Sequence, residues 1–403
     1  MRTFFSTPLA VLCCFCAATT AAEPFPRFEA ITLDANVGKV CYAVTLADVD
    51  GDGDQDVVAV SESRVIWYDN PSWQQHTIID GQTPKDNVCI APHDIDGDGR
   101  IDFALGAGWT KQGTIHWVTR SGASDGSWNV HFIGQEPWLH RMRFADVLGM
   151  GKPQLVVSPL NATQGEGVRL TAFQVPEDAV SDRWKPTVIS GNLNRMHNHY
   201  HADLDGDGMI DTLTASREGV HWIHQRNGTW QQVPLGAGIM AADPNDAGAG
   251  EIKMGRLASG RRFLVTVEPM HGHTVTVYLE PAEKTAPGAT DQTPAGQTPL
   301  WARHEIATGF VRGHALWPAD VDGDGDDEIV FGHSDTPETF GVIIFDATAA
   351  DGTSWQRHVV DSGTMACEDL VVADLTGDGK LDIVAGGRNT HNVKLYVQQP
   401  ADP

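Results

Sequence analysis

The chain is 403 residues long with a formal net charge of −25, the balance of 53 acidic against 28 basic side chains. Such an excess of negative charge argues against a nucleic-acid partner, and beyond residue 22 no uncharged run reaches membrane-spanning length. Its six cysteines are too few for a disulfide scaffold in a chain of this size.

In chain order, Arg2 precedes an apolar run from Pro8 through Cys16 to Ala18, then small residues through Ala21 and Ala22 before Glu23 and Pro24. This is the three-part plan of a secretory signal peptide. It predicts a secreted or periplasmic protein cleaved near Ala22, with residues 23–403 forming one domain. Cys13 follows Leu12 rather than a small residue, which favours release over lipid anchoring. After cleavage Cys41, Cys89 and Cys367 remain.

Residues 25–33, FPRFEAITL, read as an aromatic-led strand. One unit then recurs seven times: ADVDGDGDQDVVAV, HDIDGDGRIDFALG, ADVLGMGKPQLVVS, ADLDGDGMIDTLTA, MGRLASGRRFLVTV, ADVDGDGDDEIVFG and ADLTGDGKLDIVAG. The lead positions, Asp48, Asp94, Asp146, Asp203, Arg256, Asp320 and Asp374, stand 46 to 64 residues apart, a period that suits four short strands and their turns. Each copy is followed by a second apolar run such as RVIWYDN or TVTVYLE. Aromatic-led strands then start at Trp73, Trp128, Trp184, Trp230, Trp301 and Trp355. Six such strands serve seven repeats, and the seventh is FPRFEAITL at the other end of the chain. The prediction is an all-β, seven-bladed β-propeller closed by an N-terminal strand that completes the last blade. Closure removes the exposed sheet edges, whereas a solenoid would need atypical caps at both ends. Residues 281–299, PAEKTAPGATDQTPAGQTP, fall between two strands of the fifth blade and read as a surface loop insertion.

In D-x-D-G-D-G-x-x-D, carboxylates at positions 1, 3, 5 and 9 converge on a hard cation such as Ca²⁺, and the glycines let the backbone wrap around it. Without an ion these carboxylates repel one another. An EF-hand would need glutamate at position 12, where the first copy has Ala59. Complete sets are Asp48, Asp50, Asp52 and Asp56; Asp94, Asp96, Asp98 and Asp102; and Asp203, Asp205, Asp207 and Asp211. The sixth copy has Asp320, Asp322, Asp324 and Glu328, and the seventh has Asp374, Asp378 and Asp382 with Thr376 between. Copies three and five lack the pattern and are expected to bind nothing. Acidic turns without metal are the competing reading of the same residues.

Six residues before each lead position stand Tyr42, Val88, His140, His197, Gly250, His314 and Glu368. In a propeller these starts of the innermost strands ring one mouth of the central channel, with the aspartate loops at the opposite face. The stretch HNHYHADLDGDGMID at 197–211 therefore holds two sites: His197, with His199 and His201 by alternation, belongs to the mouth, and Asp203 onward to the far loop. The turn after each second strand returns to the mouth and should add Trp109, Lys111, Arg217, His271, His273, His333, Arg388 and His391. Clustered histidines with one carboxylate suit Zn²⁺ or another divalent metal, and their cationic and aromatic neighbours suit a polyol. A lone histidine at a strand start is ordinarily a surface residue; three at one register point to a shared site. The same register sets Cys41 and Cys367 in blades that closure makes neighbours, which predicts either a disulfide or buried thiols.

The D-x-D-G-D-G repeats resemble FG-GAP/VCBS propeller repeats, which lyases, integrin-type adhesion heads and binding modules share, so this resemblance implies a fold only. A narrower one rests on PWLHRMRFADV, REGVHWIHQRNGTWQQ, GRLASGRRFLVTVEPMHGHTVTVYLEP and GHALWPADVDGDGDDEIV, which look like the N-terminal propeller of the fungal aldos-2-ulose dehydratases. That family carries cupin domains after its propeller, which this chain is expected to lack. The resemblance implies dehydration of keto-sugars such as anhydrofructose, with water elimination in the propeller, and maps onto His140, His197, Arg217, His271 and His314. Adding Glu368 and Tyr42 from the strand-start register, the expected roles are His197, His271, His314 and Glu368 around a metal, His140 as base or acid, and Arg217 or Tyr42 holding an enolate oxygen. A metal or cation that polarises a ketone acidifies the neighbouring proton, so a nearby base can remove it while an acid assists the leaving group.

The expected function is a secreted carbohydrate-active lyase performing metal-assisted β-elimination on keto-sugars or oxidised glycosides. Two alternatives stay open: a non-catalytic carbohydrate- or protein-binding propeller, and a uronate polysaccharide lyase using Tyr42 and Arg388. Hydrolysis by paired carboxylates is disfavoured because the mouth shows essentially one acid, Glu368. Nothing in the sequence specifies an oligomeric state.

Overall fold

The structure, a computed structural model, describes residues 25–110, 112–122, 126–163, 165–281, 299–334 and 339–400. The expected signal peptide, Lys111 and most of the 281–299 insertion lie outside the described residues. These residues form 28 strands and one short 3₁₀ turn at Pro244–Asp246, and no α-helix occurs among them.

The strands sort into seven four-stranded antiparallel sheets, six of them built from four consecutive strands. The seventh pairs β26 (Cys367–Ala373), β27 (Asp382–Gly387) and β28 (Val393–Gln399) with β1 (Arg27–Asp34), placing Ile31 opposite Leu395. The N-terminal strand completes the last blade, as the count of aromatic-led strands required. The 281–299 insertion falls between β20 (Thr274–Leu279) and β21 (Ala302–Thr308) of one sheet.

The second strand of a blade is covered on both faces by its neighbours, which is why its sequence is an unbroken apolar run rather than an alternation. Every residue of β3 (Asp56–Ser61), β7 (Asp102–Ala107), β15 (Asp211–Ser216) and β23 (Glu328–His333) is buried. Packing joins blade to blade: Val58, Val60 and Trp67 of the first share one apolar cluster with Ile90, Phe103 and Leu105 of the second.

The innermost strands are β2 (Cys41–Ala47), β6 (Cys89–His93), β10 (Leu139–Ala145), β14 (Asn198–Ala202), β18 (Ile252–Arg256), β22 (Gly313–Ala319) and β26. In four of them the pairing register skips one residue, and the skipped residues are Tyr42, His140, His314 and Glu368. A bulge bends the strand and re-aims the extra side chain. Two consecutive residues, such as His140 and Arg141, thereby line the same cavity at the channel mouth.

Cys41, Cys89 and Cys367 are buried free thiols. A Cβ added at Gly386 of the seventh blade would stand 2.6 Å from Cys41 Sγ, and one at Gly332 of the sixth blade 2.3 Å from Cys367 Sγ. Both thiols point the same way around the ring, each into a glycine of the preceding blade, so the two do not face one another.

Candidate functional site

Three inner-strand starts and one turn build the mouth. His140, His197 and His314 come from the strand starts, and His271 from the turn between β19 (Arg262–Glu268) and β20. One ring nitrogen from each of the four lies within 4.8 Å of the others, and the ring of His197 stands 4.6, 4.5 and 4.9 Å from those of His140, His271 and His314. His271 takes a φ of 52°, a left-handed conformation that costs a non-glycine residue about 1–2 kcal/mol.

The hydrogen bonds run in one direction, and the tautomers follow from the partners. Arg312 NH1 donates to His271 Nδ1 at 3.1 Å, which leaves the His271 proton on Nε2 to be donated to His197 Nε2 at 2.8 Å. His197 in turn presents Nδ1–H to Glu251 Oε1, also at 2.8 Å. Burial by itself would raise the Glu251 carboxyl, but His197, Arg141 and the Asn198 amide together hold it down to about 2. Burial, reinforced by neighbouring imidazoles and arginines, drives His140, His271 and His314 well below the ordinary histidine range. The rings are therefore neutral at neutral pH, the state in which imidazole binds metal.

The donor set fits a divalent metal such as zinc. Both ring nitrogens of buried His140 are without partners. His314 gives Nδ1–H to the Glu368 carbonyl oxygen at 2.5 Å, and His197 gives its own to Glu251, so each keeps Nε2 as the ligand atom. Anchoring the far nitrogen in this way is how metal-binding histidines are ordinarily oriented. Four nitrogens around zinc stand about 3.4 Å apart at ordinary bond lengths, so this set closes with shifts on the order of 1 Å. His271 is the least free of the four: with Nδ1 accepting from Arg312 its proton stands on Nε2 and points at His197 Nε2, so it would join a metal site only by giving up the Arg312 bond and moving that proton to Nδ1.

Tyr42, Val88, Trp109, Arg141, Arg312, Glu368 and Arg388 complete the cavity wall. Glu368 stands beside the histidine set, its Oε1 accepting from Arg388 NH1 at 2.7 Å and lying 3.5 Å from His314 Nε2. Several expected mouth residues lie elsewhere. Arg217 does not line this cavity; its backbone N–H bonds Asn194 in the turn after β15. His333 is buried against Phe310 and Phe331, and His273 and His391 are exposed. His199 and His201 share a face with each other and not with His197: His199 Nδ1 meets Ser158 Oγ of the third blade, and His201 Nδ1 meets Thr212 Oγ1. Glu251, Arg141 and Arg312 went unread in the sequence. Glu251 also corrects the one-acid reading, although it is committed to His197, Arg141 and Asn198.

At the opposite face the aspartate loops repeat one geometry. Asp48 accepts from the backbone N–H groups of Gly51 and Gly53, Asp94 from Gly97 and Gly99, and Asp203 from Gly206 and Gly208. Oxygens of Asp48, Asp50 and Asp56 lie within 4.8 Å of one another, as do those of Asp94, Asp96 and Asp102, and of Asp203, Asp205 and Asp211. Asp69 also converges with Asp50 and Asp52. Burial and neighbouring carboxylates push Asp56 and Asp211 up to about 6 and Glu328 up to about 9. In the third loop Gln154 Nε2 bonds Asp146 instead. In the fifth, Asp327 and Asp326 of the adjoining blade cap the N–H groups of Arg256 and Ala258.

Residues 112–281 match a family model described as the aldos-2-ulose dehydratase β-propeller domain, and residues 48–105 and 320–385 match the FG-GAP-like repeat. The chain is 27% identical over 316 residues to the aldos-2-ulose dehydratase of Phanerodontia chrysosporium, covering 72% of this chain and 33% of that protein. It thus spans about a third of that relative's length. Among solved structures, BBS1N in complex with ARL6DN, soaked with mercury, covers 94% of this chain and 98% of its own at a TM-score of 0.54 and 14% identity. The lead-soaked form aligns at 0.54 and 12% identity; both likenesses concern the fold. The chain is an FG-GAP-repeat β-propeller resembling the propeller domain of aldos-2-ulose dehydratase.

Proposed function

We propose that this protein is a secreted carbohydrate-active lyase that eliminates water or an alcohol β to a sugar ketone, with His197, His271 and His314 of the mouth, and Glu368 beside them, holding a divalent metal such as Zn²⁺. The observation that carries this reading is the convergence of four neutral imidazoles, three buried and His271 half-buried, two of them oriented by oxygen acceptors, in a cavity walled by arginine, tyrosine and tryptophan. The likeness to aldos-2-ulose dehydratase supports a keto-sugar substrate. When bound, the metal would supply Lewis-acid polarisation of the ketone.

His140 suits the proton-transfer role, since neither of its nitrogens is committed and its ring is neutral. It takes the proton from the carbon next to the ketone and returns it to the departing oxygen, so that hydroxide leaves as water or alkoxide as alcohol. Arg388 and Tyr42 border the cavity and hold the oxygen on which negative charge develops. Trp109, 6.2 Å from His140 and nearly parallel to it, gives the sugar ring an apolar wall. Arg312, Arg388 and Tyr42 together also favour a second reading, elimination from a uronate whose carboxylate the arginines neutralise. The test is enone absorbance with anhydrofructose, 3-keto-glycosides and a uronate polymer. Product from the first two with wild-type protein and none with His140→Ala supports the proposal; product from the polymer alone favours the uronate reading; no product from any leaves a binding propeller.

We further propose that the loops led by Asp48, Asp94, Asp203, Asp320 and Asp374 bind Ca²⁺ as structural ions. Their support is the set of carboxylates such as Asp56, Asp211 and Glu328, held high by burial and then by one another, a cost that a bound cation removes.

A further inference from the structure

Behind the histidine tier the channel widens into a cavity of about 350 Å³ lined by all seven inner strands. Arg141 and Val88 line both this cavity and the mouth, so the two spaces are neighbours with different walls. The deeper one contains three cations, Arg141, Arg143 and Lys253, against two carboxylates, Glu251 and Asp369. Arg143 is spent on Asn198 Oδ1 at 2.8 Å, and Arg141 stands 3.4 Å from Glu251. Lys253 is only 9% exposed and makes no ion pair among the described residues. Its Nζ meets ring faces instead, 4.6 Å from the Trp317 centroid and 5.4 Å from that of Tyr200. A buried ammonium group facing aromatic rings lacks the oxygen acceptors that water would give it, and the cavity's excess of one positive charge calls for one negative charge.

We propose that this inner cavity is a second ligand site, taking a small organic carboxylate of sugar-acid size. Its carboxylate pairs with Lys253 and its carbon skeleton lies against Trp317, Tyr200 and Leu316. A single negative charge matches the local excess, and apolar walls beside the lysine suit a carbon-bearing anion over phosphate or chloride. Burial, with Arg143 close by, pushes the Lys253 amine down to about 7, consistent with a group that lacks a counter-ion. The site is independent of the mouth chemistry proposed above.

Calorimetric titration of the protein at pH 6, with gluconate, sodium chloride and inorganic phosphate as probes, tests the site; tryptophan fluorescence and thermal unfolding give second readouts. Saturable gluconate binding is expected, weakened at least about tenfold by Lys253→Met, largely kept by Lys253→Arg, and kept by the mouth variant His271→Ala plus His314→Ala. If Lys253→Met fails to fold, Arg143→Gln serves as the second variant and weakens binding in the same direction. Gluconate binding that both variants leave intact, phosphate or chloride bound as tightly as gluconate, or no saturable gluconate binding would each overturn the proposal. Loss of gluconate binding only in the mouth variant would assign the anion to the mouth and overturn it as well.

Discussion

In the loop of the third blade, Gln154 Nε2 donates to Asp146 Oδ1 across 3.1 Å, at the position where Asp56, Asp102 and Asp211 stand in other blades. The neutral amide makes with its own N–H the link that a cation would make elsewhere. The third loop is therefore expected to be indifferent to metal and the aspartate loops to depend on it. Chelation should lower the unfolding temperature and added Ca²⁺ restore it, by about 2.7 kcal/mol for each site at a hundredfold excess over Kd. Gln154→Asp should cost about 1–3 kcal/mol through the lost bond and the added like charge. An unfolding temperature that ignores both chelator and Ca²⁺ would rule out bound ions in the loops.

Elemental analysis should find transition metal that is lost in His271→Ala plus His314→Ala while calcium is retained. Glu251→Gln keeps the shape but removes the charge that orients His197, so metal affinity should fall by about 10–100-fold. His199→Ala, at a residue bonded to Ser158 and pointing away from the mouth, should leave the metal content unchanged. Equal loss in the His199 and Glu251 variants would mean general unfolding and not a mouth site.

Closure could be read by counting strands, because a ring of repeats leaves one strand over and only the opposite terminus can supply it. The mouth was half legible. Register placed His140, His197 and His314, but pattern carries no trace of the bulges that double the channel-facing residues, and so Arg141 was missed; Glu251 was missed because it stands one residue past the counted position, Gly250, in a blade whose inner strand has no bulge. Alternation failed at His199 and His201 because it was counted from His197, which precedes β14; within the strand, Asn198 and Tyr200 line the channel. Turns were least legible: they differ in length and direction, so the rule that captured His271 and Arg388 also swept in Arg217 and His391.

The thiols should be silent in the folded protein. Burial pushes Cys89 up to about 12 and Cys41 and Cys367 in the same direction, and thiolate is the reactive form. A thiol reagent should modify none of the three until denaturant is added, and reductant should not shift the unfolding temperature. Gly386→Ala should destabilise by about 1–3 kcal/mol, since its Cβ would press on Cys41 Sγ; recovery in Gly386→Ala plus Cys41→Ala would confirm that contact. A reductant-sensitive unfolding temperature would instead require the disulfide.

Lys253 gives stability a pH dependence of definite sign. Burial is the main cause of its lowered basicity and Arg143 and Arg141 add to it, while Glu251 and Asp369 oppose it. Its folded value of about 7 lies below the 10.5 of an ordinary lysine. Between those values the unfolded chain holds a proton that the folded chain has released, and stability rises with pH wherever the unfolded state binds more protons. Relative to Lys253→Met, wild-type protein should therefore be least stable below pH 7 and gain steadily up to about pH 10.5, where the difference levels off. Denaturant unfolding of both proteins across that range, at fixed Ca²⁺, measures it. Parallel stability curves would mean that Lys253 keeps its charge in the folded state, and so has a counter-ion already.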